Sequence, residues 1–417
     1  MTDAGPVEAA APPPRSWVRL LLDPLYGAFF LGRMLSSTGI WIHSITAAVL
    51  TYELTRSAFM VGLVSVAQFI PQVLFAAFTG SLADRGDRKR QVMAGRLVVT
   101  SGSGGLALWT WALGTGAPGT EWVIVLSALV VGIGFVTGGP AMHAMVPALV
   151  RPGELDAAVT LNMLPVTLSR AIGPAIGAAV ALSAGADVAF ALAAAGNLGF
   201  VLVLLRMRVP QAERDPAADT SMRAAFAHLR VDRTVALLLL GVAAVGVGAD
   251  PAITLAPSIS SEMGYGTSQT GTFAAAFGVG AGVAFLVIPV IRRAIGLPWS
   301  ATAGLLLIGV GYGAVAGVST PWAAVPGFAV AGLGMTFAVT GLSALLQRRL
   351  PDQLRGRIMA LWSVGFLGSR PFAAALNGAV ADLVSVDAAL VVVMVLMVGA
   401  ARLCRPSTTD RPPPVPD

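Results

Sequence analysis

Twelve long apolar runs constrain the fold of this chain more than any other feature. Each is long enough to cross a bilayer as an α-helix, which needs about 20 mostly apolar residues. None shows the alternation of apolar and polar residues that is typical of a transmembrane β-barrel. We therefore predict an all-α polytopic membrane protein with spans at 25–50, 58–82, 93–115, 122–148, 157–184, 186–206, 234–258, 267–291, 298–319, 322–347, 357–384 and 386–404.

Composition excludes several other classes of protein. Only 12% of the 417 residues are charged and 56% are hydrophobic, whereas a soluble chain has about 25% charged residues. The net charge of +6 is confined to short loops, which argues against nucleic-acid binding. One cysteine and three scattered histidines give no disulfide framework and no pattern of metal ligands. We expect no metal and no cofactor.

The sequence also lacks the motifs of an enzyme or an ATP-driven pump. The only lysine is Lys89, so a phosphate-binding G-x-x-x-x-G-K-[ST] loop cannot be present. Paired carboxylates and a nucleophile beside a histidine are missing as well. We therefore predict that the chain is not an enzyme.

The longest polar gap, 207–233, divides six spans from six. Two half-repeats of similar length are typical of secondary transporters. We predict a tail at 1–20, a six-helix bundle at 21–206, a cytoplasmic linker at 207–233, a second bundle at 234–404 and a tail at 405–417. Within the linker, 221–233 has the pattern of a short amphipathic helix, with a solvated connector as the alternative. The proline-rich ends, 1–16 and 406–417, are expected to be disordered.

Basic residues predict the orientation. With the first terminus inside, 23 of the 27 basic residues fall in cytoplasmic segments, Arg96 among them, and only Arg56 falls outside. This asymmetry indicates that both termini are cytoplasmic. The excess of arginine over lysine, with abundant alanine, glycine and valine, suggests a bacterial source, and we therefore expect the inner membrane. The remaining three, Arg33, Arg170 and Arg370, fall inside apolar spans.

The loop after the second span, 80–90, carries the first recognisable motif. Its G-x-L-A-D-R sequence and the basic cluster after it resemble the signature loop of the major facilitator superfamily, with Asp87 where the family usually has glycine. Gly80 permits close helix packing, and Asp84 suits the positive start of another helix. Arg85 and Arg88 can bond acids or free carbonyls. The resemblance implies a latch that holds the cytoplasmic side shut, with simple basic anchoring as the alternative.

The fifth span carries a second motif. Its Arg170, Gly173, Pro174 and Gly177 resemble the G-P-x-x-G antiporter motif of exporters in the same superfamily. The two glycines share one helix face and let a neighbouring helix approach closely, while the proline can bend the helix. Ordinary packing of small residues is the alternative. The resemblance implies export.

Further matches point to one branch of the superfamily. The segment 347–360, the G-R-x-x-S element at 32–36 and the L-T-x-S element at 54–57 resemble the branch of enterobactin exporters and macrolide efflux proteins. Together these resemblances cover residues 20 to 400. They imply the major facilitator fold, with two pseudo-symmetric six-helix halves, and a monomer that exchanges drugs for protons.

Ionisable residues inside a bilayer are costly and are functional candidates by default. Asp250, followed by Pro251, is the first candidate for proton coupling, with a helix-end cap as the alternative role. Glu53, at the outer end of the first span, is the second. For Arg33, Arg170 and Arg370, structural bonding between helices and lining of a cavity are equally open.

Polar and aromatic residues within the spans are candidates for lining a central cavity. The two intramembrane histidines among them are more often hydrogen-bonded packing residues than proton relays. The candidates are Trp41, His43, Gln68, His143, Asn162, Phe277, Trp362 and Asn377.

These observations favour a secondary active exporter that moves an amphiphilic drug, antibiotic or siderophore outward in exchange for protons. Its expected partners are a small-molecule substrate, protons and the lipid bilayer. An ion-coupled importer and a membrane sensor without transport activity are the alternatives. The motif on the fifth span argues against the importer, and an intact latch argues against the sensor.

Overall fold

The computed structural model describes residues 15–151, 153–209, 228–350 and 352–409, and within them all regular structure is helical. The first half contains α1 (Trp17–Leu21), α2 (Tyr26–Thr55), α3 (Ala58–Arg85), α4 (Arg88–Leu113), α5 (Thr120–Met145), α6 (Leu155–Leu161), α7 (Leu164–Ala184) and α8 (Ala186–Arg206), with a 3₁₀ turn at Val146–Leu149. The second half contains α9 (Arg233–Gly248), α10 (Pro251–Thr254), α11 (Ala256–Glu262), α12 (Thr270–Val315), α13 (Pro321–Arg349), α14 (Asp352–Leu383), α15 (Val386–Leu403) and α16 (Pro406–Thr409).

The helices follow the predicted spans closely. Ten helices in the described part of the chain are long and apolar enough to cross a membrane. Of these, α12 covers both the eighth and the ninth predicted spans. The helix α4, which begins with Arg88, Lys89 and Arg90, is not one of the ten and matches the third predicted span. The described helices are therefore consistent with twelve crossings.

The predicted loop between the eighth and ninth spans is wrong in extent. Instead of a loop at 292–297, helical geometry continues on both sides of Gly296, where φ is 79° and ψ is 167°. Glycine adopts this left-handed φ without a steric penalty. Pro298 follows it in the first turn of the next helical segment, a position that needs no N–H donor.

Two spans are interrupted near polar residues. The fifth is broken between α6 and α7 at Asn162 and Met163, and the seventh is broken between α9 and α10 at Ala249 and Asp250. Pro251 cannot donate a helical hydrogen bond, so it favours a break in the seventh span just before it. These breaks leave polar groups within the apolar spans.

The larger hydrophobic cores follow the division into halves, and one small cluster joins Ala48, Tyr52 and Val61 of the first half to Ile253 of the second. The largest buried cluster consists of residues from the second half, with Ala58 as the one residue from the first. Other clusters lie within the first half, around Phe200 and around Phe190. The exact bundle boundaries stay a prediction. Residues 210–227, which include most of the predicted amphipathic helix, lie outside the described residues.

Both ends of the described chain are attached to the helices. Glu154 accepts hydrogen bonds from Arg15 N (2.9 Å), Nε (2.8 Å) and Nη2 (2.8 Å). The hydrogen bond from the Arg15 side chain lowers the pKa of Glu154 to about 2. At the other end, Thr234 donates to the carbonyl of Thr408 at 3.5 Å. The expected disorder is therefore wrong at residues 15, 16 and 406–409, and the rest of both tails lies outside the described residues.

Contacts between the halves are concentrated toward one side of the bundle. We call the side where α2 begins and α3 ends the basic face, and the other side the opposite face. Hydrogen bonds between described residues of the two halves all lie between mid-depth and the opposite face. They link residues in the range 53–65 with Thr254, Thr267 and Asp382 of the second half. A further one links Arg170 with Ala249.

Candidate functional site

Asp250 lies at the break in the seventh span and is almost fully buried, with 1% of its surface exposed. Its Oδ1 accepts a hydrogen bond from Thr254 Oγ1 (2.9 Å) and its Oδ2 accepts one from Asn377 Nδ2 (2.9 Å). The carboxylate makes no capping hydrogen bond to the start of α10. Asp250 therefore occupies the N-cap position of α10 without capping it through its side chain, and its role in proton coupling stays a prediction. The predicted cavity candidate Asn377 is a direct partner of Asp250.

Arg370 on α14 lies within electrostatic range of Asp250. Its guanidinium carbon is 4.1 Å from the centroid of the Phe69 ring on α3, a cation–π contact that joins the two halves. Its Nε and Nη2 are buried and have no hydrogen-bond partner. In this conformation Arg370 connects the halves beside the carboxylate.

Arg170 on α7 makes a second connection between the halves. Its guanidinium carbon lies 5.0 Å from the ring centroid of Trp41 and 4.7 Å from that of Phe277. Its Nη2 also donates to the carbonyl of Ala249 at 3.5 Å, a group left free by the helix break before Asp250. Two predicted cavity candidates, Trp41 and Phe277, are thus the aromatic partners of this arginine. We refer to Asp250, Arg170 and Arg370 as the central charged cluster.

The glycines of the antiporter motif place α7 tightly against α2. A Cβ on Gly173 would lie 2.6 Å from Trp41 Cβ, and one on Gly177 would lie 2.8 Å from Ile45 Cγ2. The other side of α7 packs on α12, where Gly271 faces Pro174 and Ala178. The motif therefore also fits the alternative role of close packing by small residues. This packing places Arg170 where the two halves meet.

The latch loop differs from its expected packing. A Cβ on Gly80 would meet no atom within 4 Å, so the close helix contact predicted there is absent in this conformation. Arg88 donates to the carbonyls of Ala83 (3.2 Å) and Ala144 (3.1 Å), which ties α3 to α5 within the first half. The side chains of Asp84 and Arg85 lie outside the described part.

Asp87 has a local role that accounts for its place in the loop. Its Oδ1 accepts a hydrogen bond from the backbone N–H of Arg90 at 3.1 Å and caps the start of α4. Aspartate is a favoured residue at this position. The departure from the family's usual glycine therefore gives α4 a defined beginning.

Two acidic residues link the halves at the opposite face. Asp382 at the end of α14 accepts hydrogen bonds from Ala58 N (2.8 Å), from Phe59 N (3.1 Å) and from the hydroxyl of Ser57. Glu53, whose side chain is exposed, accepts one from Thr267 Oγ1 at 2.5 Å. Asp382 is not among the residues that the sequence predicts to be functional, although it lies at the outer end of the eleventh predicted span.

The remaining cavity candidates have different surroundings. His43 is fully buried in the first half, with Nδ1 3.2 Å from Ser103 Oγ, so its assignment to a cavity is wrong and it packs in the core. Gln68 donates to Ser44 Oγ at 2.9 Å and is also buried. Trp362 is half-buried and stacks on Phe366, with ring centroids 5.4 Å apart.

A second polar cluster lies in the first half, toward the basic face. Arg33, with 1% of its surface exposed, donates through Nη1 to Asn162 Oδ1 at the break between α6 and α7. His143 is exposed near the end of α5 and lies within electrostatic range of Arg33. These three predicted residues are therefore neighbours.

Arg96 is buried, although the sequence predicts it in a cytoplasmic segment. It lies two turns into α4 with 1% of its surface exposed, and its Nη1 donates to Ser36 Oγ at 2.9 Å. Because α4 begins at Arg88, eight residues earlier, the span begins before the predicted residue 93. The basic residues at its start are not apolar, so the predicted span is shorter than the helix.

Family comparison agrees with this architecture. A family described as "Transmembrane secretion effector" matches residues 20–408. This chain belongs to the major facilitator superfamily. Two major facilitator relatives are the enterobactin exporters EntS of Citrobacter koseri, 28% identical over 95% of this chain and 96% of that protein, and of Salmonella typhimurium, 28% identical over 86% of each chain.

Solved structures show the same major facilitator fold. A bacterial homologue of the human lysosomal transporter Spinster, in an inward-facing and unoccupied conformation, has a TM-score of 0.71 and 16% identity and covers 93% of this chain and 96% of its own. A D-xylose–proton symporter has a TM-score of 0.73 and 14% identity and covers 93% and 100%. The predicted fold class and superfamily are confirmed, and the chain is a membrane transporter rather than an enzyme.

Proposed function

We propose that this transporter exports an amphiphilic small molecule in exchange for protons, by alternating access between its two halves. The printed names of its relatives, which are exporters of enterobactin, support the outward direction. The G-P-x-x-G element on α7 supports the same direction. Apolar and aromatic residues around the central charged cluster favour an amphiphilic substrate over a fully polar one.

We assign the basic face to the cytoplasm, because basic residues are retained on that side of a membrane. The hydrogen bonds between described residues of the two halves then lie at mid-depth and on the outer side. The open surroundings of Gly80 and the exposure of Phe78 (69%) on the cytoplasmic part of α3 support the same view. The conformation in this assignment is inward-facing.

The observation that carries the coupling proposal is the environment of Asp250. Its carboxylate is buried beside two arginines whose contacts cross between the halves, Arg170 to Phe277 and Ala249, and Arg370 to Phe69. Opening of the outer side must break these contacts and change both the hydration and the charge around Asp250. The free energy of ionising a carboxyl group depends on these two factors. Asp250 therefore takes up and releases a proton as the transporter alternates.

Glu53 is the second candidate for coupling. Its link to Thr267 also joins the halves, so its surroundings change during the same transition. Its exposed side chain contacts water already in this conformation. The change in environment is therefore smaller than at Asp250, which we place first.

Everted membrane vesicles test the proposal. A panel of fluorescent dyes, macrolides and catecholate siderophores is offered with and without an imposed pH gradient, acid inside. We expect the wild-type protein to accumulate at least one compound when the gradient is present. In Asp250→Asn we expect gradient-driven accumulation to be lost and substrate exchange without a gradient to remain.

Asp387→Asn is the matched control, since Asp387 is an exposed acid of the same half. It should transport as the wild type does. Proton-driven accumulation by Asp250→Asn would remove Asp250 from the coupling site. Accumulation only in right-side-out vesicles would indicate import instead of export.

A further inference from the structure

Two arginines in the first half lie side by side without an acidic partner. Arg33 on α2 and Arg96 on α4 each have 1% of their surface exposed. They are close enough for their positive charges to repel one another. Arg33 bonds Asn162 through Nη1, and Arg96 bonds Ser36 through Nη1. Neither partner carries charge.

Three nitrogen atoms of this pair have no hydrogen-bond acceptor. They are Nε of Arg33 and Nε and Nη2 of Arg96, all buried. No carboxylate among the described residues forms an ion pair with either guanidinium. Burial of a charge without a counter-charge is costly, so two such groups together require an explanation.

Several other buried charges among the described residues have a partner of opposite charge. Glu154 is paired with Arg15, and Asp232 accepts from Arg349 Nε at 2.5 Å. Asp250 faces Arg370, as described above. The pair Arg33 and Arg96 is therefore different in kind, because two positive charges and three unbonded donors are gathered without an anion.

The surroundings of the pair offer a route for a ligand. Arg33 lies seven residues into α2, about 10 Å from its start at the basic face. Its partner Asn162 stands at the break in the fifth span, next to Met163, which is 40% exposed. His143, also exposed, lies nearby. The Arg33 guanidinium is thus bonded to a residue that adjoins an accessible surface.

We propose that Arg33 and Arg96 form a binding site for an oxyanion, such as a carboxylate, phosphate or sulfonate group. Guanidinium groups bind such anions with paired, charge-assisted hydrogen bonds. The anion belongs either to the exported molecule, an assignment that rests on the proposed function, or to an anionic lipid headgroup. A transported compound would then be an amphiphile that bears an acidic group.

Binding can be measured without transport and without knowledge of the substrate. The full-length protein is placed in nanodiscs of phosphatidylcholine, and its thermal unfolding is followed with increasing benzoate or benzamide at constant ionic strength. The two probes have the same shape, but only benzoate is anionic. We expect benzoate to raise the unfolding midpoint at a concentration at least about tenfold lower than benzamide.

Substitutions identify the site. Arg33→Gln and Arg96→Gln should each abolish the preference for benzoate, whereas Arg33→Lys and Arg96→Lys, which keep the charge, should retain part of it. Arg206→Gln is the matched control, because Arg206 is exposed and lies at the same face. Should the glutamine variants fail to fold, the graded loss in the lysine variants still tests the proposal.

A second set of nanodiscs, with phosphatidylglycerol added, distinguishes the two sources of the anion. Stabilisation by benzoate in phosphatidylcholine alone supports a site for a soluble acid. Stabilisation by phosphatidylglycerol that Arg33→Gln and Arg96→Gln abolish supports a lipid site. Equal responses to benzoate and benzamide, with no such effect of phosphatidylglycerol, would overturn the proposal. Export in vesicles could persist in that case, so the proposed function would be judged separately.

Discussion

At Gly278 on α12, a single missing side chain determines how closely the two halves approach. A Cβ at this position would lie 2.6 Å from the carbonyl oxygen of Arg170 and 2.6 Å from the backbone nitrogen of Ala171. Backbone atoms cannot move aside as a flexible side chain can. A methyl group therefore fits only if α7 and α12 separate.

We predict that Gly278→Ala destabilises the observed conformation by about 1–3 kcal/mol, the usual cost of overpacking. That cost corresponds to roughly a 5- to 150-fold change in the ratio of the observed conformation to one in which α7 and α12 are separated. Spin labels at Thr115→Cys and Ser319→Cys, in a Cys404→Ser background, should report a new population with a longer distance across the opposite face. Gly282→Ala, on the same helix and with open space around it, should leave the distances unchanged. Identical distance distributions in both variants would contradict this interpretation.

At the scale of elements, the beginning of α3 depends on a residue from the other half. Asp382 on α14 accepts hydrogen bonds from the first two backbone N–H groups of α3 and from the hydroxyl of its N-cap, Ser57. The free N–H groups of a helix start need such acceptors. The cap is present only while the two halves meet at the opposite face.

We predict that Asp382→Ala costs about 0.5–2 kcal/mol, the range for loss of a helix cap. Hydrogen exchange measured by mass spectrometry should therefore become faster in residues 57–62 than in the wild type. Asp387→Ala removes one hydrogen bond, from Gly317 N, within the second half at the same face. It should speed exchange only near Gly317. Unchanged exchange at 57–62 in Asp382→Ala would show that the cap does not hold the halves together.

Helix breaks mark the limit of prediction at this scale. Apolar length alone located the spans, because lipid requires about 20 apolar residues wherever the chain crosses. It did not locate the break at Asn162 or the near-continuous path through Gly296. Both depend on backbone geometry at one or two residues, which an average over 20 residues does not detect.

At the scale of the whole molecule, the orientation in the membrane decides what the conformation means. The structure is inward-facing only if the basic face is cytoplasmic, as the distribution of arginine predicts. A membrane-impermeant maleimide applied to intact cells should therefore label Thr115→Cys and leave Arg206→Cys unlabelled, both in the Cys404→Ser background. After the cells are opened, both should react, since both positions are exposed. The reverse pattern in intact cells would make the conformation outward-facing.

The amino-acid sequence by itself determined the twelve apolar spans, their predicted orientation and membership of a transporter superfamily. These properties follow from local composition and short motifs, which lipid and membrane insertion impose along the chain. Only the tertiary structure decided which polar groups meet. It showed Asn377 bonded to Asp250, Asp382 bonded to Ser57 325 residues away, and Arg96 buried beside Arg33. Such partners depend on close approach between distant helices, and no local pattern of apolar residues encodes that approach.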